Sequence, residues 1–99
     1  MALMHLNVTP LGTKTTSVGE YVAEFQKVLQ QENIPHTLTD MGTIIQGNIG
    51  ELLAIAAKIH ELPFQQGAQR VVTQMLIDDR RDKKVGLGDK IASVQERLK

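Results

Sequence analysis

The amino-acid sequence predicts an α+β sandwich, in which a four-stranded antiparallel sheet carries two helices on one face. Two stretches carry most of this prediction. Residues 41–47 are typical of a tight turn between short strands, and residues 70–80 of a long strand that runs into charged residues. Each stretch follows a strongly helical segment, and an N-terminal strand precedes both. The resulting order, β-α-β-β-α-β with a short C-terminal helix, is the ferredoxin-like topology.

The N-terminal third of the chain supplies the first strand and the first helix. Residues 3–9 alternate between apolar and mixed side chains, which predicts a half-buried strand that Pro10 ends. After a polar loop, Ser17 with Glu20 three residues later forms the pattern of a capping box. Apolar residues spaced three and four apart then extend the helix to about Gln31.

The middle of the chain predicts a hairpin of two short strands. Residues 36–41 form its first strand, residues 41–43 its turn, and residues 43–47 the strand that pairs back. Asn48 follows directly and is the predicted N-cap of the second helix.

The second helix is predicted over about residues 50–61, and Pro63 is expected to end it. Its apolar side comprises Leu52, Leu53, Ile55, Ala56 and Ile59. Residues 70–78 then predict the last strand, and Asp89 is the predicted cap of a final helix over residues 90–98.

One face of the sheet is predicted to carry no helix, because right-handed crossovers place both helices on the same side. The residues expected on this open face are Leu3, His5, Asn7, Thr9, Thr37, Thr39, Val72, Gln74 and Leu76. The mixture is too polar for a sealed core and too apolar for a wholly solvated surface. It predicts a subunit interface, a small-ligand site, or both.

Composition excludes several classes of function. The 99 residues predict one domain spanning residues 1–99, and the 11 basic residues balance the 11 acidic ones, which argues against a generic polyanion binder. The absence of cysteine excludes disulfides, thiol catalysis and cysteine-based metal sites. The N-terminus lacks the basic region of a signal peptide, and no apolar run approaches the roughly 20 residues of a bilayer span. We therefore expect a cytoplasmic protein that does not enter a membrane.

The candidate chemical groups predict binding rather than catalysis. His5, His36 and His60 have no metal-ligand spacing, and no nucleophile motif or phosphate-binding glycine loop is present. Within residues 78–82, interleaved acids and arginines favour mutual ion pairing over a cation site. Only three aromatic residues occur, all placed off the sheet, whereas RNA-binding domains of this topology stack bases on sheet aromatics. We expect no enzyme activity, cofactor, metal or nucleic-acid partner.

A set of short motifs, taken together and in order, resembles the thiamine-binding protein family across nearly the whole chain. The motifs are Pro10-Leu11-Gly12-Thr13, the helix opened by Ser17, Met41-Gly42-Thr43 with Gly47, His60, Gly67 through Arg70-Val71 to Thr73, and Ile77-Asp78-Asp79-Arg80. The resemblance implies a ferredoxin-like homotetramer that binds thiamine or its hydroxymethylpyrimidine moiety without known catalysis. This chain departs from the family at Gln46, where a glutamate is common.

The ligand site that follows from this resemblance is expected near the first strand, the hairpin and the start of the first helix. Its residues are Asn7, Thr9, Thr13, Ser17, Met41, Thr43 and Gln46. Their amides and hydroxyls match the ring nitrogens and exocyclic amine of an aminopyrimidine, although each could instead serve loop or sheet hydrogen bonding. Two alternatives stay open: a structural or regulatory homo-oligomer that binds another metabolite, and an enzyme acting on a pyrimidine-like substrate.

Overall fold

The computed structural model describes residues 1–12 and 19–99 and has the predicted ferredoxin-like architecture. Its elements are β1 (Ala2–Leu11), α1 (Gly19–Gln31), β2 (His36–Thr39), β3 (Gly42–Gly47), α2 (Ile49–Gln65), β4 (Arg70–Asp79) and α3 (Asp89–Arg97). The strands form one sheet in the order β2-β3-β1-β4, and each neighbouring pair is antiparallel. The α+β prediction is therefore confirmed.

The core lies between one face of the sheet and the helices α1 and α2. Alternate residues of β1 point into it, because successive side chains of a strand face opposite sides. The buried apolar side chains are Ala2, Met4, Leu6, Val8, Phe25, Leu29, Ile45, Leu52, Ile55, Ala56 and Ile59. The other sheet face carries no packed helix among the described residues, as predicted from right-handed crossovers.

The first strand is longer than the sequence indicates, since β1 continues through Pro10 to Leu11. Its pairing with β4 extends along the whole strand to the Leu11–Arg70 pair. Its pairing with β3 stops at Leu6–Thr43. Because proline has no N–H to donate, a strand tolerates it where no partner strand needs a donor, as on the β3 side of β1 beyond Leu6.

The predicted cap of α2 is confirmed. The side-chain oxygen of Asn48 accepts a 2.8 Å hydrogen bond from the Glu51 backbone N–H, and the Glu51 carboxylate accepts the Asn48 N–H at 3.4 Å. These reciprocal bonds satisfy two backbone donors that have no partner inside the helix.

We expect Asn48→Ala to lower the free energy of unfolding by about 1 kcal/mol, because the substitution removes this cap. Chemical denaturation measures the change. Glu61→Ala, on an exposed position of the same helix outside the box, is the control and should stay within about 0.5 kcal/mol of the parent. Equal effects of the two substitutions would contradict the assigned role of Asn48.

Two predictions for α2 are wrong. Pro63 does not end the helix but lies buried in its last turn, and the helix continues to Gln65. The chain turns at Gly67, whose φ of +99° suits glycine, while the Ala68 N–H donates to the Pro63 carbonyl at 2.9 Å. Leu53 does not join the core, because it is 47% exposed on the outer side of the helix.

The hairpin turn comes earlier in the chain than predicted, because β2 ends at Thr39 rather than at residue 41 and β3 begins at Gly42 rather than at residue 43. Thr39 pairs directly with Gly42, so the turn consists of Asp40 and Met41. The Thr39 hydroxyl accepts the Met41 N–H at 3.2 Å and donates to the Gly42 carbonyl at 2.8 Å. One side chain therefore satisfies both ends of the turn.

The segment after β4 confirms the predicted ion pairing. Arg80 binds Asp82 through two hydrogen bonds, and Arg81 binds Asp79 in the same way. The hydrogen bonds from Arg81 hold the pKa of the Asp79 carboxyl below its ordinary value.

The final helix begins one residue earlier than predicted. Asp89 is its first residue rather than its cap, and the N-cap is Gly88. The Asp89 carboxylate instead accepts the Gly86 N–H at 2.7 Å. In the part of the chain that the structure describes, no helix is both long and apolar enough to span a bilayer. The predicted capping box at Ser17 lies outside the described residues.

Candidate functional site

A pocket forms where β3 ends but β1 continues. Beyond Leu6, β1 is no longer paired with β3. The hairpin turn and α1 lie on either side of this unpaired edge. The resulting cavity has a volume of about 260 Å³. It is lined by residues 6–9 of β1, by Val22 and Phe25 of α1, and by residues 38–43 of the hairpin. We name it the hairpin pocket.

A hydrogen bond from Asn7 holds the rim of the hairpin pocket. The Asn7 side-chain Nδ2 donates to the Met41 carbonyl oxygen at 2.6 Å, across 34 residues of sequence. Met41 itself is 76% exposed, so little apolar packing holds the turn. The hydrogen bond from the Asn7 side chain therefore sets the position of the turn relative to β1.

Thr43 supplies a buried hydroxyl to the helix side of the pocket. Its side chain is 7% exposed, and its oxygen accepts a 3.0 Å hydrogen bond from Gln26 Nε2 on α1. A threonine hydroxyl can accept and donate at once. Its own proton is therefore free to be donated to a ligand atom in the pocket.

Asp40 is the one charged residue among the described residues that line the hairpin pocket. It lies in the exposed hairpin turn beside otherwise apolar or neutral polar groups. The apolar walls formed by Leu6, Val8 and Phe25 suit a flat ring. Together these groups favour a small heterocycle that is neutral or positively charged.

The structure brings together four of the seven predicted site residues. Asn7, Thr9, Met41 and Thr43 all line the hairpin pocket. Thr13 and Ser17 lie outside the described residues.

Gln46 is not brought into the pocket. It lies three residues after Thr43 on the same strand and therefore faces the open side of the sheet. Its Oε1 accepts the Leu87 N–H at 2.7 Å, and its Nε2 lies 3.4 Å from the Met1 sulfur. The side chain that marks the departure from the family's common residue therefore holds the C-terminal segment.

Sequence analysis missed the pocket contributions of Asp40, Val22 and Phe25. The apolar spacing of the two α1 residues indicates core packing, and only the truncated β3 exposes their side chains to a cavity. For Asp40 a signal exists in the sequence, since the residue directly precedes Met41 in the predicted turn region.

His36 and His60 each form a hydrogen bond within the fold. His36 Nδ1–H donates to the Ile34 carbonyl at 2.7 Å, and His60 Nδ1 is hydrogen bonded to the Thr73 hydroxyl at 2.6 Å. The His60 ring also contacts Phe64 at a centroid distance of 5.5 Å. No group of three or more potential metal ligands occurs within residues 1–12 and 19–99.

A second cavity, of about 520 Å³, lies at the same end of the sheet. Its described lining comprises Leu11, Gly12, Tyr21 and residues 66–70, with Arg70 as the charged member. A cationic ring would be repelled by this guanidinium and attracted by Asp40. The hairpin pocket is therefore the better site for a positively charged heterocycle, although it is the smaller cavity.

Comparison with known proteins gives a family match over most of the chain. Residues 4–95 match the family model described as "Thiamine-binding protein". The UPF0045 protein YqgV of Bacillus subtilis is 46% identical over 102 residues, covering 99% of this chain and 98% of the relative.

Solved structures show the same fold. A hypothetical protein of Methanocaldococcus jannaschii superposes with a TM-score of 0.84 at 27% identity, covering 96% of each chain. A Thermotoga maritima protein, provisionally assigned to thiamine biosynthesis or salvage, superposes with a TM-score of 0.75 at 15% identity. That match covers 94% of this chain and 97% of the Thermotoga chain.

Proposed function

The chain belongs to the thiamine-binding protein family, and from this premise we propose that it binds thiamine, hydroxymethylpyrimidine or a related heterocycle without transforming it. The observation that carries the proposal is the hairpin pocket. Asn7, Thr9, Met41 and Thr43, four of the predicted ligand contacts, line one cavity with apolar walls and a single carboxylate among its described lining residues. The protein would act as a cytoplasmic buffer, sensor or carrier of its ligand.

The aminopyrimidine ring fits the inner part of the pocket. Its face would lie on Phe25, and its polar edge would meet the hydroxyl of Thr43 on the same side of the sheet. In an antiparallel strand the N–H and C=O groups of alternate residues point to each side. At least one residue within 7–9 therefore points its backbone N–H and C=O toward the side where β3 no longer pairs. The polar edge of the ligand can form hydrogen bonds with these groups in place of β3.

Calorimetric titration tests the assignment with thiamine, hydroxymethylpyrimidine and an analogue that lacks the exocyclic amine. The first two should bind, and the analogue should bind at least tenfold more weakly, because buried polar groups lose their partner. If neither compound binds at high micromolar concentration, the proposed ligand class is wrong.

Thr43→Val should weaken binding of both compounds about tenfold, because it removes one hydroxyl donor and conserves the shape of the side chain. The matched control is Gln26→Met, which breaks the same Gln26–Thr43 hydrogen bond but leaves the hydroxyl in the pocket. It should weaken binding clearly less. Equal losses in the two variants would show that Thr43 acts only through packing of α1.

Asp40→Asn should weaken binding of thiamine about two- to fivefold, a range set by the modest strength of exposed ion pairs. Binding of neutral hydroxymethylpyrimidine should not change. Glu61→Gln, which removes an exposed carboxylate outside the pocket lining, is the control for general charge effects. An equal loss for both ligands in Asp40→Asn would exclude the proposed charge contact.

The proposal includes a homo-oligomer, which the family resemblance implies as a tetramer. Its support is the open sheet face, where Leu76 is 71% and Val72 is 41% exposed. Exposed apolar side chains on an uncovered sheet face are typical of a subunit interface.

The enzyme alternative has one supporting contact, the hydrogen bond between His60 and Thr73. A histidine beside a hydroxyl needs a third group to orient it and a cavity for substrate. His60 has neither among the described residues, since Phe64 is its ring neighbour and no pocket described above includes it. We expect no turnover of thiamine or hydroxymethylpyrimidine that His60→Ala abolishes, and product analysis by mass spectrometry would detect such turnover.

A further inference from the structure

The C-terminal helix α3 and its C-cap residue Leu98 carry a stripe of exposed apolar side chains. Ile91, Val94 and Leu98 are 65%, 51% and 79% exposed, and the helix buries none of its residues. Their spacing of three and four residues places them on one side of the helix. We call these three residues the α3 stripe.

The start of α3 is fixed at the edge of the open sheet face. The Gln46 side chain, which lies on that face, accepts the Leu87 N–H at 2.7 Å. The Asp89 carboxylate accepts the Gly86 N–H at 2.7 Å and so closes the turn before the helix. Beyond these anchors α3 makes no extensive contact with the described strands and helices, and Val72 and Leu76 are 41% and 71% exposed.

Charge is divided between the segment that contains α3 and the rest of the chain. Residues 80–99 contain seven basic and three acidic residues, whereas residues 1–79 contain four basic and eight acidic residues. The two parts thus have formal charges of opposite sign that cancel over the whole chain. Such a division favours contact between the basic segment of one copy and the acidic body of another.

The same complementarity appears at the level of single residues. Helical periodicity places Lys90 and Arg97 together along one flank of the α3 stripe. On the open face, Asp78 lies two residues from Leu76 and therefore on the same side of β4.

We propose that the α3 stripe of one subunit covers the open sheet face, around Val72 and Leu76, of a second copy of this chain. In a two-fold pair the contact is made twice, because each subunit offers both surfaces. The α3 stripe and the apolar side chains of the open face are then buried at once. This inference rests on the homo-oligomer included in the proposed function and adds which element makes the contact.

Cross-linking between subunits tests the contact directly, because the chain has no cysteine of its own. Val94→Cys protein is mixed with Leu76→Cys protein, allowed to exchange subunits, and oxidised mildly. We expect a mixed disulfide, identified by mass spectrometry. The control is Ala92→Cys, which lies two residues from Val94 and thus on the other side of α3. Its yield with Leu76→Cys should be at least several-fold lower.

Sedimentation equilibrium of the full-length Val94→Asp variant gives the second readout. Val94→Asp should weaken subunit association at least tenfold, and Ala92→Asp should leave subunit association nearly unchanged. A parent protein that is monomeric at micromolar concentration would contradict the homo-oligomer. An oligomeric parent without the mixed disulfide, in which Val94→Asp and Ala92→Asp assemble alike, would overturn the role of α3 alone.

Discussion

Leu76→Lys is expected to weaken subunit association at least about a hundredfold, because burial of an unpaired charge in an interface costs several kcal/mol. Leu76 is 71% exposed in the single chain, so the substitution should leave the folded subunit intact. The register places it opposite His5 on the open face, on the edge strand β4. Sedimentation velocity over a concentration series measures the change.

The control for this substitution is Leu53→Lys. Leu53 is also an exposed leucine, at 47%, but it lies on α2 on the helix side of the sheet. The same change of residue type there should not alter association. If both variants dissociate equally, general charge repulsion is the cause, and if neither does, the open face is not the interface.

The sequence predicts those parts of the fold that depend on local patterns. Alternation in β1 identifies its core face correctly, and Asn48 with Glu51 forms a capping box visible in the sequence. Pro63 misleads because tolerance of a proline in the last helical turn depends on its packing, which no local pattern contains.

The candidate site is predicted less completely because it depends on contacts between distant segments. Gln46 is held by Leu87, 41 residues away, and no spacing pattern signals that contact. The sequence does indicate that the side chains of Gln46 and Thr43 lie on opposite faces of the sheet, because residues three apart on a strand face opposite sides. The pocket itself results from the unequal lengths of β1 and β3, which depends on pairing in the folded sheet.

Gly42 lines the hairpin pocket and is also packed against a side chain of the open face. This glycine follows the turn, and the imidazole of His5 lies directly over it. A Cβ at Gly42 would lie 2.5 Å from His5 Nε2 and 3.0 Å from the Leu6 carbonyl oxygen. The φ of +155° at this position adds backbone strain for any other residue.

Gly42→Ala is therefore expected to lower the free energy of unfolding by about 1–3 kcal/mol, through both overpacking and strain. His5→Ala removes the nearest clashing group, so the double variant should recover part of the loss, with a coupling energy of about 0.5–3 kcal/mol. Gly67→Ala is the control, because Gly67 has a φ of +99° but no atom of the described residues within 4 Å of a Cβ. Its cost should come from backbone strain alone and show no coupling to His5→Ala. A Gly42→Ala variant as stable as the parent, or one that His5→Ala does not rescue, would contradict this packing. Since Gly42 lines the hairpin pocket, calorimetry should also show weaker thiamine binding in Gly42→Ala than in Gly67→Ala.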